Sequence, residues 1–449
     1  MKHQLNVDGN QHFSNEIVER KDLISDPQST NSSRSDGFGG HSSSRTRWRQ
    51  WGDCLSRRAW YLDPAKLCMS AQRRTSLEDF GDPPLEPGLS VLANSLEDEA
   101  QLHPLGRFLM RFHLRGLLET RLRLAELWRG QSKSLACSSV ERPIFITGMP
   151  RSGSTFLHEL LAEDAENRAP RVWEVMFPIP ERETEVHKRD PRITRAAACL
   201  WWFRRLAPEA DAVYPMRACT PHECVAIHSY SFLSEEFIST CRVQSYETFL
   251  RIADLRPAYA WERRFLQYLQ SGRPSRRWVL KSPDHSRSLE ELFAVFPDAL
   301  IVQTHRNPLE VLNSSCQLTE VLHRLYGRAG KHEEVIAHES KLLAEGAGRA
   351  IGFRDAHREL EDRFVDVKYT ELISDPLAAI RRIYGQFGIP LNREAADRMR
   401  RLAGIRRRYP NPRSRGALSG LKSLAAVERG RFEQYCARFG IAFQSPRLR

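Results

Sequence analysis

A strand that runs into a glycine turn and leaves it as a helix constrains this 449-residue chain more than any other stretch. Residues 143–147 read Pro-Ile-Phe-Ile-Thr, a short apolar run of the kind that forms a parallel strand buried on both faces. Gly148-Met-Pro-Arg-Ser-Gly-Ser154 then supplies a turn dense in small residues, and helical periodicity resumes over 155–162. Strand, glycine turn and helix in that order aim backbone N–H groups and a helix dipole at one point, which suits a phosphate. The same unit also serves plain turning and capping, so the loop alone leaves both readings open.

The alternation repeats further along. Residues 278–280 (Trp-Val-Leu) and 299–302 (Ala-Leu-Ile-Val) predict two more buried strands, with a helix over 289–296 between them. A helix over 308–319 begins with Pro308 in its first turn, where the missing N–H has no intrahelical partner to lose. Residues 364–367 predict a fourth strand and 378–387 a helix. Together they imply an α/β chain, a P-loop-like three-layer fold with a central parallel sheet flanked by helices, plus helical additions.

One addition is a helix over 102–128, where Leu105, Phe108, Leu109, Phe112, Leu118, Leu122 and Leu127 recur at helical spacing. Residues 172–269 read as mainly helical and aromatic. The opening residues, 28–47 most of all, are rich in Ser, Gly, Asn and Arg and carry too little apolar surface to offset the entropy of ordering them. The expected organisation is a disordered tail over 1–50, a helical extension over 51–135 and an α/β domain over 136–449.

A formal charge of +12, mostly from Arg, suits anionic partners. No aromatic-interleaved RNA motif and no zinc-finger spacing accompanies it, so nucleic acid is not an expected partner. Nine dispersed cysteines without a CxxC pair favour neither a disulfide framework nor a zinc site, and no metal is expected. Residues 1–20 lack the apolar core of a signal peptide, and the longest apolar stretch, 196–203, is far too short to span a bilayer. A cytoplasmic protein without a membrane span is the expectation.

In the turn, Gly153 lets the backbone approach an anion, the N–H groups of Ser152 through Thr155 can point at it, and the Ser154 and Thr155 hydroxyls add donors. Arg151 brings a planar cation able to bridge two oxygens. A Walker A loop needs GxxxxGK[ST]; here Ser154 stands in the Lys position, which disfavours a P-loop-type kinase. A second segment, Thr304-His-Arg-Asn-Pro-Leu-Glu-Val-Leu-Asn-Ser314, sets Arg306 at a strand's end and Ser314 two helical turns on, a pair able to clamp another phosphate.

Pro150-Arg-Ser-Gly-Ser-Thr155 followed by Arg306 and Ser314 resembles the sulfotransferases that use 3′-phosphoadenosine 5′-phosphosulfate (PAPS). That family pairs a 5′-phosphosulfate loop with an Arg-x₇-Ser segment for the 3′-phosphate. Leu157-His158, Trp173-Glu174, Trp278-Val-Leu-Lys-Ser-Pro283 with His285, and Tyr369-Thr-Glu-Leu372 are similar to blocks of its bacterial branch.

The resemblance implies transfer of a sulfuryl group from PAPS to a hydroxyl or amine on a small-molecule, lipid or glycan acceptor, with release of PAP. It implies Arg151 as the charge stabiliser on the leaving phosphate, and Ser152, Gly153, Ser154 and Thr155 around that phosphate. Arg306 and Ser314 would hold the 3′-phosphate, Tyr369 would approach the nucleotide, and Lys281 would contact the sulfuryl group. Glu174 is expected as the base with His285 as the alternative, whereas His158 reads as a satisfied helix histidine. Arg413 and Arg415, in Asn411-Pro-Arg-Ser-Arg-Gly416, are the nearest match to a basic loop that closes over the nucleotide in many relatives. Trp201, Trp202, Tyr214, Tyr230, Tyr259 and Trp261 suit an acceptor pocket or a helical core, with the core preferred. A nucleotide-binding relative without catalysis and a P-loop-type kinase are the alternative functions; the oligomeric state is unspecified.

Overall fold

The computed structural model describes residues 61–131, 135, 138–180, 190–213, 215–271, 276–408 and 430–442. The expected tail over 1–50, Tyr214, Arg413 and Arg415 lie outside the described residues. At the centre is a sheet of five strands: β1 (Ile144–Gly148), β2 (Asn167–Arg168), β3 (Arg277–Lys281), β4 (Leu300–His305) and β5 (Phe364–Lys368). Their order is β2-β3-β1-β4-β5, with every neighbouring pair parallel.

β1 is buried along its whole length, as a strand covered on both faces must be, and its sequence therefore runs apolar without alternation. Its side chains still divide by face. Ile144 and Ile146 join one core with Leu157, Leu160, Val302, Ile380 and Ile383. Phe145, between them, joins another with Trp261, Phe265, Leu292 and Phe296, because successive strand residues point to opposite sides.

The four expected strands are β1, β3, β4 and β5, and the three-layer α/β architecture is present. β2 has two residues, too few for a period to register. The helix expected over 102–128 is Pro104–Gly130, with His103 Nδ1 accepting the Gly106 N–H at 2.9 Å. Its buried face differs from the expected stripe. Met110, Leu114, Leu117, Leu118 and Leu122 are buried, whereas Leu105 and Phe108 are 45% and 43% exposed. This helix shares the Phe145-side core, so the described N-terminal helices and the sheet have one core in common. The helix His332–Ala356 was not anticipated, because Gly346, Gly348 and Gly352 and the alanines among them dilute its apolar period.

Along the chain, β2 and β3 add on one side of β1, and β4 and β5 on the other. In open parallel sheets ligands bind beyond the carboxyl ends of the strands, where the order reverses. Those ends carry Gly148, Lys281, His305 followed by Arg306, and Lys368 followed by Tyr369.

Candidate active site

β1 ends where only glycine fits. Gly148 has φ +118°, and a Cβ there would lie 2.2 Å from the Thr304 carbonyl oxygen of β4. The turn that follows is braced from inside. The Ser152 hydroxyl, fully buried, bonds the Met149 carbonyl and lies 2.6 Å from the Thr304 hydroxyl, which donates to the Thr147 carbonyl at 3.0 Å. Ser152 therefore spends its side chain on the turn and leaves its backbone N–H for a ligand. Arg151 takes a left-handed conformation, φ +62°, which costs a non-glycine residue about 1 kcal/mol. Gly153, at φ +94°, opens the helix Ser154–Leu161, whose N-terminus no side chain caps. Its first N–H groups and the positive end of its dipole are thus directed at the turn.

The second motif closes on the first. Arg306 donates from Nη1 to the Arg151 carbonyl at 2.9 Å and from Nε to Glu310 Oε2 at 2.9 Å. Its guanidinium carbon stands 4.2 Å from the centre of the Tyr369 ring, and a Cβ on Gly153 would come within 3.0 Å of that same ring. Arg151 in turn donates from Nε to the Ser314 hydroxyl at 3.1 Å. Arg151, Gly153, Arg306, Ser314 and Tyr369 are one connected cluster. Ser314 is set by the helix Pro308–Tyr326, whose start Asn307 caps by accepting the Leu309 N–H at 3.0 Å.

Beside the turn opens a cavity of about 1750 Å³, more apolar than polar in its walls. Gly148, Arg151, Ser154 and Thr155 are part of its wall, as are Lys281, Glu223 and Asp284. The Lys281 ammonium, 2% exposed as a residue, is ion-paired with Glu223. The Cys224 N–H donates to the Lys281 carbonyl at 2.9 Å, which brings Glu223 alongside. Asp284 accepts from the Ser282 hydroxyl at 3.1 Å. Burial, and then the charge of Glu223, push its carboxyl up to about 6. Two polar atoms of wall residues, His222 Nδ1 and Ser315 Oγ, have no partner among the described residues.

Two expected residues lie elsewhere, and His158 is the satisfied helix histidine that its sequence suggests. Glu174 is buried but is not part of the cavity wall. Its Oε1 accepts from Arg168 Nη2 at 3.0 Å, and its Oε2 from the Arg171 N–H at 3.0 Å, so it caps its own helix. His285 is sealed in the core with Nδ1 2.8 Å from the Tyr259 hydroxyl, and burial holds its imidazole down to about 3. His158 bonds the Val279 carbonyl at 3.0 Å, and burial lowers it likewise to about 3. Among the aromatics, Tyr259 and Trp261 are core residues. Tyr230 reaches the cavity wall with its hydroxyl bonded to the Val175 carbonyl at 2.7 Å. Glu223 was missed because a backbone bond from a distant loop, and no local pattern, places it. Asp284 sits inside the Lys-Ser-Pro-Asp-His run that had drawn attention to its neighbours.

Residues 143–393 match the model of the sulfotransferase family. The crystal structure of sulfotransferase STF1 from Mycobacterium tuberculosis is 30% identical, with a TM-score of 0.67 over 77% of this chain and 98% of that one. STF9 from Mycobacterium avium is 27% identical, with a TM-score of 0.71 over 84% and 97%. A curated relative, omega-hydroxy-beta-dihydromenaquinone-9 sulfotransferase Stf3 of Mycobacterium tuberculosis, is 27% identical over 272 residues, which span 55% of this chain and 63% of that protein. The family match takes in more than half of the chain and all five strands with both phosphate motifs: the chain belongs to the sulfotransferase family.

Proposed function

We propose that the protein transfers a sulfuryl group from PAPS to the hydroxyl of an extended, apolar acceptor and releases PAP. The observation that carries this reading is the opening of a large apolar cavity at the phosphate turn, where the uncapped helix Ser154–Leu161 meets Arg151. The uncapped N–H groups and two arginines with Ser314 supply donors for two phosphates, as a 3′,5′-bisphosphate nucleotide requires.

In the transfer, a bond forms between the acceptor oxygen and sulfur as the bond from sulfur to the phosphate oxygen breaks. The electron pair stays on the 5′-phosphate of PAP. Arg151 and the helix N-terminus hold that charge, and this is the stabilisation of greatest value at such a transition state. Lys281 neutralises the sulfuryl oxygens, a role that its place in the cavity wall supports. Glu223 takes the acceptor's proton in place of Glu174 and His285. Supporting this is its position on the cavity wall beside Lys281, with Asp284 next to it. Glu174 then serves to hold the segment after the turn, and Arg306 positions the turn as well as facing the 3′-phosphate.

An apolar alcohol suits the cavity better than a glycan, and the name of the relative Stf3 describes an ω-hydroxylated quinone as its acceptor. The seven cysteines among the described residues form no disulfide, which fits a cytoplasmic setting. The test is labelled PAPS supplied with matched panels of long-chain alcohols and sugars. Label transfer to the apolar alcohols with stoichiometric PAP supports the reading. Failure to bind PAP, or a preference for sugars, overturns it.

A further inference from the structure

The helix Pro191–Leu206 is apolar on two opposite faces. Its inner face puts Cys199, Leu200 and Phe203 on the cavity wall. Its outer face follows the spacing Ala197, Ala198, Trp201, Trp202, all exposed; the two indoles are 49% and 45% exposed, and Leu206, at its end, is 47% exposed. A surface helix in water normally turns its polar face outward. This one forms a thin apolar wall between the cavity and the outside.

Two further observations say what meets that face. The helix contains Arg192, Arg195, Arg204 and Arg205 and no carboxylate, with Arg204 and Arg205 in the last turn beside the indoles. Asp190, just before it, is spent on Arg192 at 2.7 Å; Glu209 and Asp211 belong to the next helix. On the neighbouring helix Pro104–Gly130, Leu109 packs with Phe203 around Ala207, and Leu105 and Phe108 beside it are also exposed. Indoles and aliphatic tips flanked by guanidinium groups match the boundary between acyl chains and anionic headgroups.

We infer that this edge docks on an anionic lipid bilayer surface, with Trp201, Trp202 and Leu206 inserted and Arg204 and Arg205 on the phosphates. The acceptor then passes from the lipid into the cavity beside the same helix. That second statement rests on the apolar-acceptor reading above; the docking does not.

The test is sedimentation of the full chain, without PAPS, with vesicles of phosphatidylcholine alone or mixed with phosphatidylglycerol. The expected result is binding to the mixed vesicles that weakens by roughly tenfold or more in the W201S/W202S variant. PAP affinity, read separately by calorimetry, stays unchanged and reports that the variant is folded. A second variant, R204E/R205E, is expected to lose the preference for anionic vesicles. The proposal is overturned if the wild-type chain stays in solution with both vesicles. It is overturned equally if the indole variant binds as well as wild type, or if the indoles prove to hold a dimer that ignores lipid. Loss of sulfuryl transfer with vesicle binding intact counts against the function, not the docking.

Discussion

The Arg151 guanidinium donates to the hydroxyl of Ser314 across 163 residues of sequence, at 3.1 Å. The two phosphate motifs are thereby one object, and a change in either is felt by the other. R151A and S314A are accordingly expected to be non-additive in PAP affinity, with the double variant losing less than the sum of the two single losses. Calorimetric titration of the four proteins completes that cycle.

Arg306 combines a charge with a structural duty, since it also bonds the Arg151 carbonyl. Arg306→Ala is expected to weaken PAP binding by about 2 kcal/mol, roughly thirtyfold. ATP, which lacks a 3′-phosphate, should lose clearly less. Equal losses for both nucleotides would leave Arg306 with the structural duty alone.

Glu223→Gln is expected to lower kcat by at least about a hundredfold with PAP affinity intact, as removal of a general base does. Glu174→Gln should behave differently. Arg168 and the helix start lose a charged partner, so thermal stability falls by roughly 2 kcal/mol while the turnover of folded protein changes little. A selective kcat loss in the Glu174 variant would return the base to that residue.

Asp284 gives the reaction a pH signature. Burial first, and the Glu223 charge second, raise its carboxyl from 3.8 to about 6. Turnover is expected to fall as pH drops through about 6, where Asp284 takes up a proton and its charge beside Glu223 is lost. In Asp284→Asn that step in the profile should be absent, because the group that takes up the proton near pH 6 is gone. The sign for stability is opposite. A raised carboxyl stabilises below its unfolded value, and that contribution is lost as pH rises through about 6, so Asp284→Asn should raise Tm at pH 7. A pH–rate profile and a melting series check both.

Gly148 and Gly153 separate a fold requirement from a site requirement. Gly148→Ala would set a Cβ against backbone, 2.2 Å from the Thr304 oxygen, and should leave little folded protein. Gly153→Ala meets side chains and no backbone, the Tyr369 ring at 3.0 Å and Leu372 Cδ2 at 3.1 Å. It should fold with a lowered Tm, with PAP affinity falling as the ring shifts against Arg306. Soluble yield, melting and titration distinguish the two.

What could be read in the sequence was what a short stretch encodes by itself. β1, its glycines and the following helix announce themselves through a change of period, and Arg306 and Ser314 through their fixed offset. Glu223 reaches Lys281 only through the bond from the Cys224 N–H, which no local pattern encodes. The helix Pro104–Gly130 shows the other limit. Its apolar residues face the core, the cavity and the outside in turn, and periodicity reports that a face is apolar without reporting what lies opposite. Glu174 is implied as a base only by the resemblance of its segment to the family, and a resemblance in sequence does not report that the side chain caps its own helix.

The helix Pro308–Tyr326 carries Ser314 toward Arg151 and the next residues, Ser315, Leu318 and Leu322, toward the cavity. One rigid rod is thus a ruler with donor marks at one end and acceptor marks along its side. Side chains farther down the rod are free to vary, lengthening or narrowing the space for an acceptor, without disturbing the register of the nucleotide. A new acceptor range can be acquired one helical turn at a time.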